Sequence, residues 1–328
     1  MPDLSTKYMG FGLKNPIIAG SCGLTNNLKS LLEMEKHGAA AVVLKSLFEE
    51  EINLEYESIL EEANNQGLKN EELDYFDYKI QEKIVDDYLE LIHQAKSELE
   101  IPVIASVNCI SDQGWVNFAN KIEQAGADAL EVNISIFPSG FQIKPEEIEN
   151  RYFSIVNQLI KKINIPLALK ISPYFTNLPM MINKLSATAI NALVLFNRYY
   201  NPDFDIDSLK LTAKSIFSTS KDSALPLRYI SIMYNRVNCD LAASTGIHEG
   251  EDVVKQILAG ATAVQVVSTL YNKGSQQIKN LIDFLNQWME NKKYSKLSDF
   301  RGIMSQSQGT DPAAYERVQF MRFFSGKF

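Results

Sequence analysis

The chain has 328 residues, 45% of them hydrophobic and 22% charged, with a formal net charge of -8 and a pI near 5.1. That balance is ordinary for a globular protein with a large core, and it leaves no basic field to attract a phosphate backbone or an anionic lipid surface, so nucleic acid and membranes are not expected partners. Three scattered cysteines (Cys22, Cys109, Cys239) and three distant histidines (His37, His93, His248) make neither a disulfide framework nor a metal-type spacing, and the N-terminal stretch lacks the apolar run of an export signal; the expectation is a reduced, cytoplasmic protein with no metal site.

In chain order, short apolar runs recur at PIIAGS (16–21), AAVVLKS (40–46), PVIASVN (102–108), ALEVNIS (129–135), PLALKIS (166–172), ALVLFN (192–197), CDLAAS (239–244) and AVQVVS (263–268). Between most of them lie amphipathic stretches of helical period, such as LKSLLEMEKHG, WVNFANKIEQAGA, EIENRYFSIVNQLIKKI and GEDVVKQILAGA. Continuous apolar runs are strands buried on both faces, and alternation with helices implies parallel pairing. Eight such units predict one α/β domain over 1–328, an eight-stranded parallel (β/α)8 TIM barrel. The phrases HGAAAVV, AGADALEV and AGATAVQV each read as a helix end with glycine at the cap followed by a tight entry into a strand. No run is followed by G-x-G-x-x-G, which argues against an open dinucleotide-binding sheet.

Two strand-to-helix connections are long: one after the second run, with an acidic insertion over about 47–78, and one over 198–238 after the sixth. In such barrels these connections face the C-terminal mouth, where chemistry is carried out, so both are expected to build over a substrate. The first ends in Tyr75, Phe76 and Tyr78, which suit packing on the rim or on a partner subunit. Residues 274–291 read as a closing helix with Ser275 as its cap, and 301–328 as a C-terminal arm.

Polar residues at the C-terminal ends of buried strands are the informative ones, since burying them is costly unless something satisfies them. They are Lys45 and Ser46, Asn133 and Ser135, Lys170 and Ser172, and Asn197. Two lysines in one mouth would repel unless an anion or an electron-rich ring lay between them, which points to an anionic cofactor or substrate. Ser244, Thr245 and Gly246 after the seventh run, with Val267, Ser268 and Thr269 after the eighth, suit a phosphate bound by backbone amides.

The ordered motifs NPIIAGSCGLT, VLKS, LEVNIS, LALKISPYF, DLAASTGIHEGEDVVKQILAGATAVQVVSTLYNKG and KKYSKLSDFRG resemble the dihydroorotate dehydrogenases, chiefly their soluble class, from about residue 4 to residue 303. The resemblance implies an FMN-dependent oxidoreductase acting on a CH–CH bond of a small ring in pyrimidine metabolism. It implies that Ala19 and Gly20 lie along the flavin, that Lys45, Ser46 and Lys170 contact it, and that Asn133 and Asn197 stand between flavin and substrate. It also implies that Ser244, Thr245, Gly246, Val267 and Ser268 surround the phosphate.

One departure is pointed. The family carries its catalytic base, a cysteine or a serine, in the loop after the fourth strand, and here NISIFPSGF puts Ile136 at that position. Ser139 and Ser135 are the hydroxyls at hand, and Lys45, Asn133, Ser139 and Asn197 are the candidate catalytic residues. The alternatives are another flavin-dependent alkene reductase, a flavin barrel without turnover that serves electron transfer or assembly, and a flavin-free phosphate-site barrel. A homodimer and an electron-transfer partner are the expected assemblies.

Overall fold

The structure, a computed structural model, describes residues 1–52, 70–109, 112–137, 139–199, 201–214, 216–309 and 312–316, without the side chains of 70–82, 112–113, 201, 213–214 and 314. The middle of the acidic insertion, the side chains of Tyr75, Phe76 and Tyr78, and the arm beyond 316 lie outside the described residues.

The elements in order are β1 (Thr6–Tyr8), β2 (Phe11–Leu13), β3 (Ile17–Ala19), α1 (Leu28–Lys36), β4 (Ala41–Val43), β5 (Leu47–Phe48), α2 (Asn70–Glu98), β6 (Val103–Asn108), α3 (Asp112–Gln124), β7 (Ala129–Ile134) and α4 (Pro145–Ile160). They continue with β8 (Leu167–Ile171), α5 (Leu178–Ser186), β9 (Ala192–Leu195), β10 (Asn201–Asp205), β11 (Lys210–Lys214), α6 (Ala224–Met233), β12 (Asp240–Ser244), α7 (Gly250–Ala259), β13 (Ala263–Val266), α8 (Ser268–Lys273) and α9 (Gln276–Lys292). Parallel pairing runs β3-β4-β6-β7-β8-β9-β12-β13, and β13 pairs back onto β3, so the sheet closes on itself. The eight apolar runs are these eight strands, and the expected TIM barrel is borne out.

Alternation of side chains across each strand makes two cores from one wall. Val42, Leu44, Val103, Leu130, Val132, Leu169, Leu193 and Val264 face the helices, whereas Ile18, Ala41, Val43, Ile104, Ala129, Ala168, Ala192, Val194, Ala242 and Ala263 face the barrel axis. Alanine at six of those inward positions leaves a wide floor, and the N-terminal hairpin β1–β2 fills it with Tyr8, Met9 and Leu13. The Met9 amide donates to Asp240 Oδ2 at 2.8 Å, which pins the hairpin tip to the foot of β12. That hairpin, β5 and the β10–β11 hairpin are elements the sequence reading did not resolve.

Gly38, Gly126 and Gly260 all have positive φ (100, 89 and 124°) at the ends of α1, α3 and α7, so the thrice-repeated helix-end phrase is one backbone solution used three times. Ser275 is corrected as a cap: its own backbone is helical (φ -62, ψ -25), and its side chain makes no capping hydrogen bond to α9. Asn27 and Asn177 do cap, accepting from the amides of Ser30 and Met180.

Tyr8 Oη is buried with no hydrogen-bond partner among the described residues, while its ring fills the floor. Tyr8→Ala is therefore expected to cost about 3–5 kcal/mol in urea unfolding, and Tyr8→Phe to be neutral or stabilising, because the hydroxyl loses no bond. A Phe variant as damaged as the Ala variant would show that the hydroxyl, and not ring volume, holds the plug.

Candidate active site

Above the apolar floor, the same inward alternation brings charged and polar side chains into the barrel. Glu131 and Asn133 follow Ala129 on β7, Lys170 follows Ala168 on β8, and Gln265 follows Ala263 on β13, each at an even offset and so on the same face. Lys170 Nζ donates to Gln265 Oε1 at 3.1 Å, Gln265 Nε2 donates to Glu131 Oε2, and Lys170 Nζ lies 3.6 Å from Glu131 Oε1. All three are buried. On the adjoining wall Ser46 Oγ lies 2.7 Å from Ser106 Oγ and 3.1 Å from Ser21 Oγ.

This layer floors a cavity of about 510 Å³ at the barrel mouth, a size typical of cofactor and substrate sites. Aromatic side chains also line the cavity, Phe48, Phe217 and Tyr271 among them; the last two rings lie 5.0 Å apart. Asn133 Oδ1 is buried with no hydrogen-bond partner among the described residues. Asn197 Nδ2 donates to Ser135 Oγ at 3.0 Å, and Ser135 Oγ donates to Tyr199 Oη at 2.7 Å. Tyr199 packs with Phe137 and Tyr174 in a ring trio with centroids 5.3–5.5 Å apart. Burial raises the Tyr199 phenol above its ordinary range, against the pull of Ser135, so the ring carries its proton at neutral pH.

One corner of the mouth is a cradle tied from three loops. The Gly246 amide donates to Ser218 Oγ at 3.3 Å, the Ser218 amide donates to Ser268 Oγ at 3.0 Å, and Ser218 Oγ lies 3.0 Å from His248 Nε2. Gly246 has φ +80, and a Cβ there would stand 2.1 Å from the Ser223 nitrogen, so only glycine fits. Gly20 allows close approach of a different kind, since a Cβ would fall 2.8 Å from Val267 Cγ2.

Of the residues singled out in the sequence, Lys45, Ser46, Asn133, Lys170, Asn197, Ser244, Thr245, Gly246, Val267 and Ser268 all line the cavity. Ala19 and Gly20 do not: both are buried, Ala19 with its methyl in the helix-facing core. Ser139 is exposed and lies outside the cavity lining, because the loop carries it past the mouth. The two lysines are not a pair of unmatched buried cations, contrary to the expectation from sequence. Lys45 is about one-third exposed and pairs with Glu51 Oε2 at 2.7 Å, and Lys170 has Glu131, so each lysine has its own protein carboxylate. Glu131 and Gln265 were legible as inward residues by their two-residue offset from Asn133 and Val267, yet the sequence reading passed over them. Ser218, Tyr199 and Arg198, the last a lining residue, come from the insertion after β9, where no periodicity marks them.

The residues suit a flavin cofactor. Asn133 offers a buried acceptor, the cradle offers the hydroxyls of Ser244 and Ser268, and Lys170 lines the same space as the aromatic side chains. The sequence profile of the family described as dihydroorotate dehydrogenase matches residues 3–289. The chain is 31% identical to the dihydroorotate dehydrogenase B (NAD(+)) catalytic subunit of Thermoplasma acidophilum, over 92% of this chain and 99% of that one. It is 26% identical to the dihydroorotate dehydrogenase (fumarate) of Kluyveromyces lactis, over 92% and 98%. A dihydroorotate dehydrogenase from Eimeria tenella, solved with ferulenol, shares the fold at a TM-score of 0.63 with 16% identity, covering 92% of this chain and 89% of that one. A closed barrel with a polar mouth built in this way is that of a flavin-dependent oxidoreductase. The chain belongs to the dihydroorotate dehydrogenase family. Among the described residues, no helix is long and apolar enough to cross a membrane.

Burial holds the His248 imidazole below its ordinary value, with Lys273 adding to the effect and Asp252 opposing it. The unfolded chain binds a proton at this histidine at a higher pH than the folded one does. Its contribution to stability is thus present above about pH 6.5 and is lost as the pH falls from there toward the lowered folded value. His248→Gln is expected to flatten that part of the Tm-versus-pH curve measured between neutral and mildly acid pH. Parallel curves for the two proteins would mean that His248 is not desolvated as the cradle geometry requires.

Proposed function

We propose that the protein is an FMN-dependent dehydrogenase that oxidises dihydroorotate, or a closely related ring, at a CH–CH bond in the cytoplasm and hands the electrons to an acceptor protein or small molecule. The observation that carries this reading is the unpartnered carboxamide oxygen of Asn133 beside the buried ammonium of Lys170, in a cavity that also holds a serine, threonine and glycine cradle. The cradle of Ser244, Thr245, Gly246, Val267 and Ser268 would hold the phosphate, and Lys170, Lys45, Ser46 and Asn133 would hold the ring and its side chain. When bound, FMN supplies the acceptor for the two electrons removed from the substrate.

The chain's own task is the proton released from the neighbouring carbon. Ile136 has no group to take it. Ser135, the residue before it, is hydrogen-bonded on one side to the cavity-lining Asn197 and on the other to Tyr199. Ser135 would take the proton on its remaining lone pair while giving its own to Tyr199, and the partly exposed phenol would release its proton to solvent, so that no charge is stored; Asn197, an amide donor, only orients Ser135. The three unpaired cysteines suit a reducing compartment. That relatives are named as catalytic subunits supports a separate electron-accepting partner.

The test is an anaerobic titration of the purified, flavin-loaded protein with dihydroorotate. Loss of the flavin absorbance near one equivalent is the expected result, and an unchanged spectrum would move the substrate to another ring. In turnover, Ser135→Ala is expected to lower kcat on the order of 100-fold, the usual scale of lost acid–base catalysis, and Tyr199→Phe by less, with flavin content unchanged. Wild-type kcat in both variants would remove the relay.

A further inference from the structure

Gln265 has no chemistry of its own, yet it sits between the two charges buried in the barrel. Its carboxamide accepts from Lys170 Nζ at 3.1 Å and donates to Glu131, while ammonium and carboxylate stand 3.6 Å apart. Glu131 Oε1 has no hydrogen-bond partner despite its burial. The three side chains come from β7, β8 and β13, and the last of these is three strands away from β8 in the closed sheet. Two opposite charges in such a site attract strongly and would close to a hydrogen-bonded contact pair if nothing intervened. A carboxamide spends one donor on the carboxylate and one acceptor on the ammonium, and so bonds to both charges without letting them merge. An ammonium has three N–H donors, and with one given to Gln265 and one directed at Glu131, the third is free for the cavity that Lys170 lines.

We propose that Gln265 is a positioning residue, which keeps Lys170 from collapsing onto Glu131 and so presents its positive charge to the bound flavin. The inference rests on the FMN reading and adds to it the residue through which the flavin's binding and potential are set. A cation held at the ring favours the anionic reduced form, so drawing Lys170 down onto Glu131 weakens that support.

The experiment is a double-mutant cycle with Gln265→Leu, Lys170→Met and the pair, and with Gln265→Met as a length-matched substitute should the leucine variant not purify. FMN affinity of the flavin-free proteins is read by quenching of free FMN fluorescence, the midpoint potential of the bound flavin by dye equilibration, and the melting temperature without FMN. Gln265→Leu is expected to weaken FMN binding about tenfold, the scale of a hydrogen bond to a charged group, and to lower the potential. Neither change should appear when Lys170 is already Met, because Gln265 acts through it. Equal effects with and without Lys170, or no effect in either, would overturn the proposal. The melting temperatures separate it from the cofactor reading. Non-additive melting shifts in a wild-type chain that takes up no FMN would keep the positioning role and refute FMN, whereas additive shifts would refute the positioning role whatever binds.

Discussion

A pair of opposite charges inside a closed barrel is the constraint on which the rest of this structure depends. Glu131 and Lys170 are both almost fully buried, and charges so placed persist only where partners satisfy them. The fold meets that demand on two sides. Below, Tyr8, Met9 and Leu13 plug the alanine-lined floor. Beside it, Gln265 bridges the two charges. The polar layer is thereby a fixed platform, and the cavity above it inherits a directed positive charge.

The mouth above this platform is assembled from parts that have little in common in sequence. The β10–β11 insertion contributes nothing to the barrel wall, but the segment that follows it returns Ser218 to the end of β12 and β13, where it ties Gly246, His248 and Ser268 together. The start of the same insertion delivers Tyr199 to Ser135. Long connections after strands are where such barrels place their specificity, and in this chain one insertion reaches both the cradle and the Ser135 hydroxyl. The replacement of an acid–base residue by Ile136 is then intelligible. The neighbouring serine is engaged by a tyrosine from another strand's loop, and Ile136 packs against the core.

Much of the fold was legible because it follows local rules. Strands buried on both faces must be continuous apolar runs, and helix ends that turn at once into a strand need a residue with positive φ; both signals are written in consecutive residues, as in AGATAVQV and Gly260. The cavity-lining lysines and asparagines were legible too, since polar residues at the ends of apolar runs stand out. Ser139 shows the limit: its hydroxyl lies in the right loop, but a loop's direction is not a local property, and it faces solvent.

By itself, then, the sequence determined the barrel, the eight strands, the mouth at which chemistry is placed and the family to which the chain belongs, because period, cap residues and ordered motifs are read one neighbour at a time. Only the tertiary structure decided which charges meet. Lys170 is matched with Gln265 across 95 residues and Glu131 with Gln265 across 134, and Ser135 reaches Tyr199 across 64. Barrel closure sets those pairings, by the tilt and stagger with which the first strand is joined to the last, and no stretch of consecutive residues carries that information.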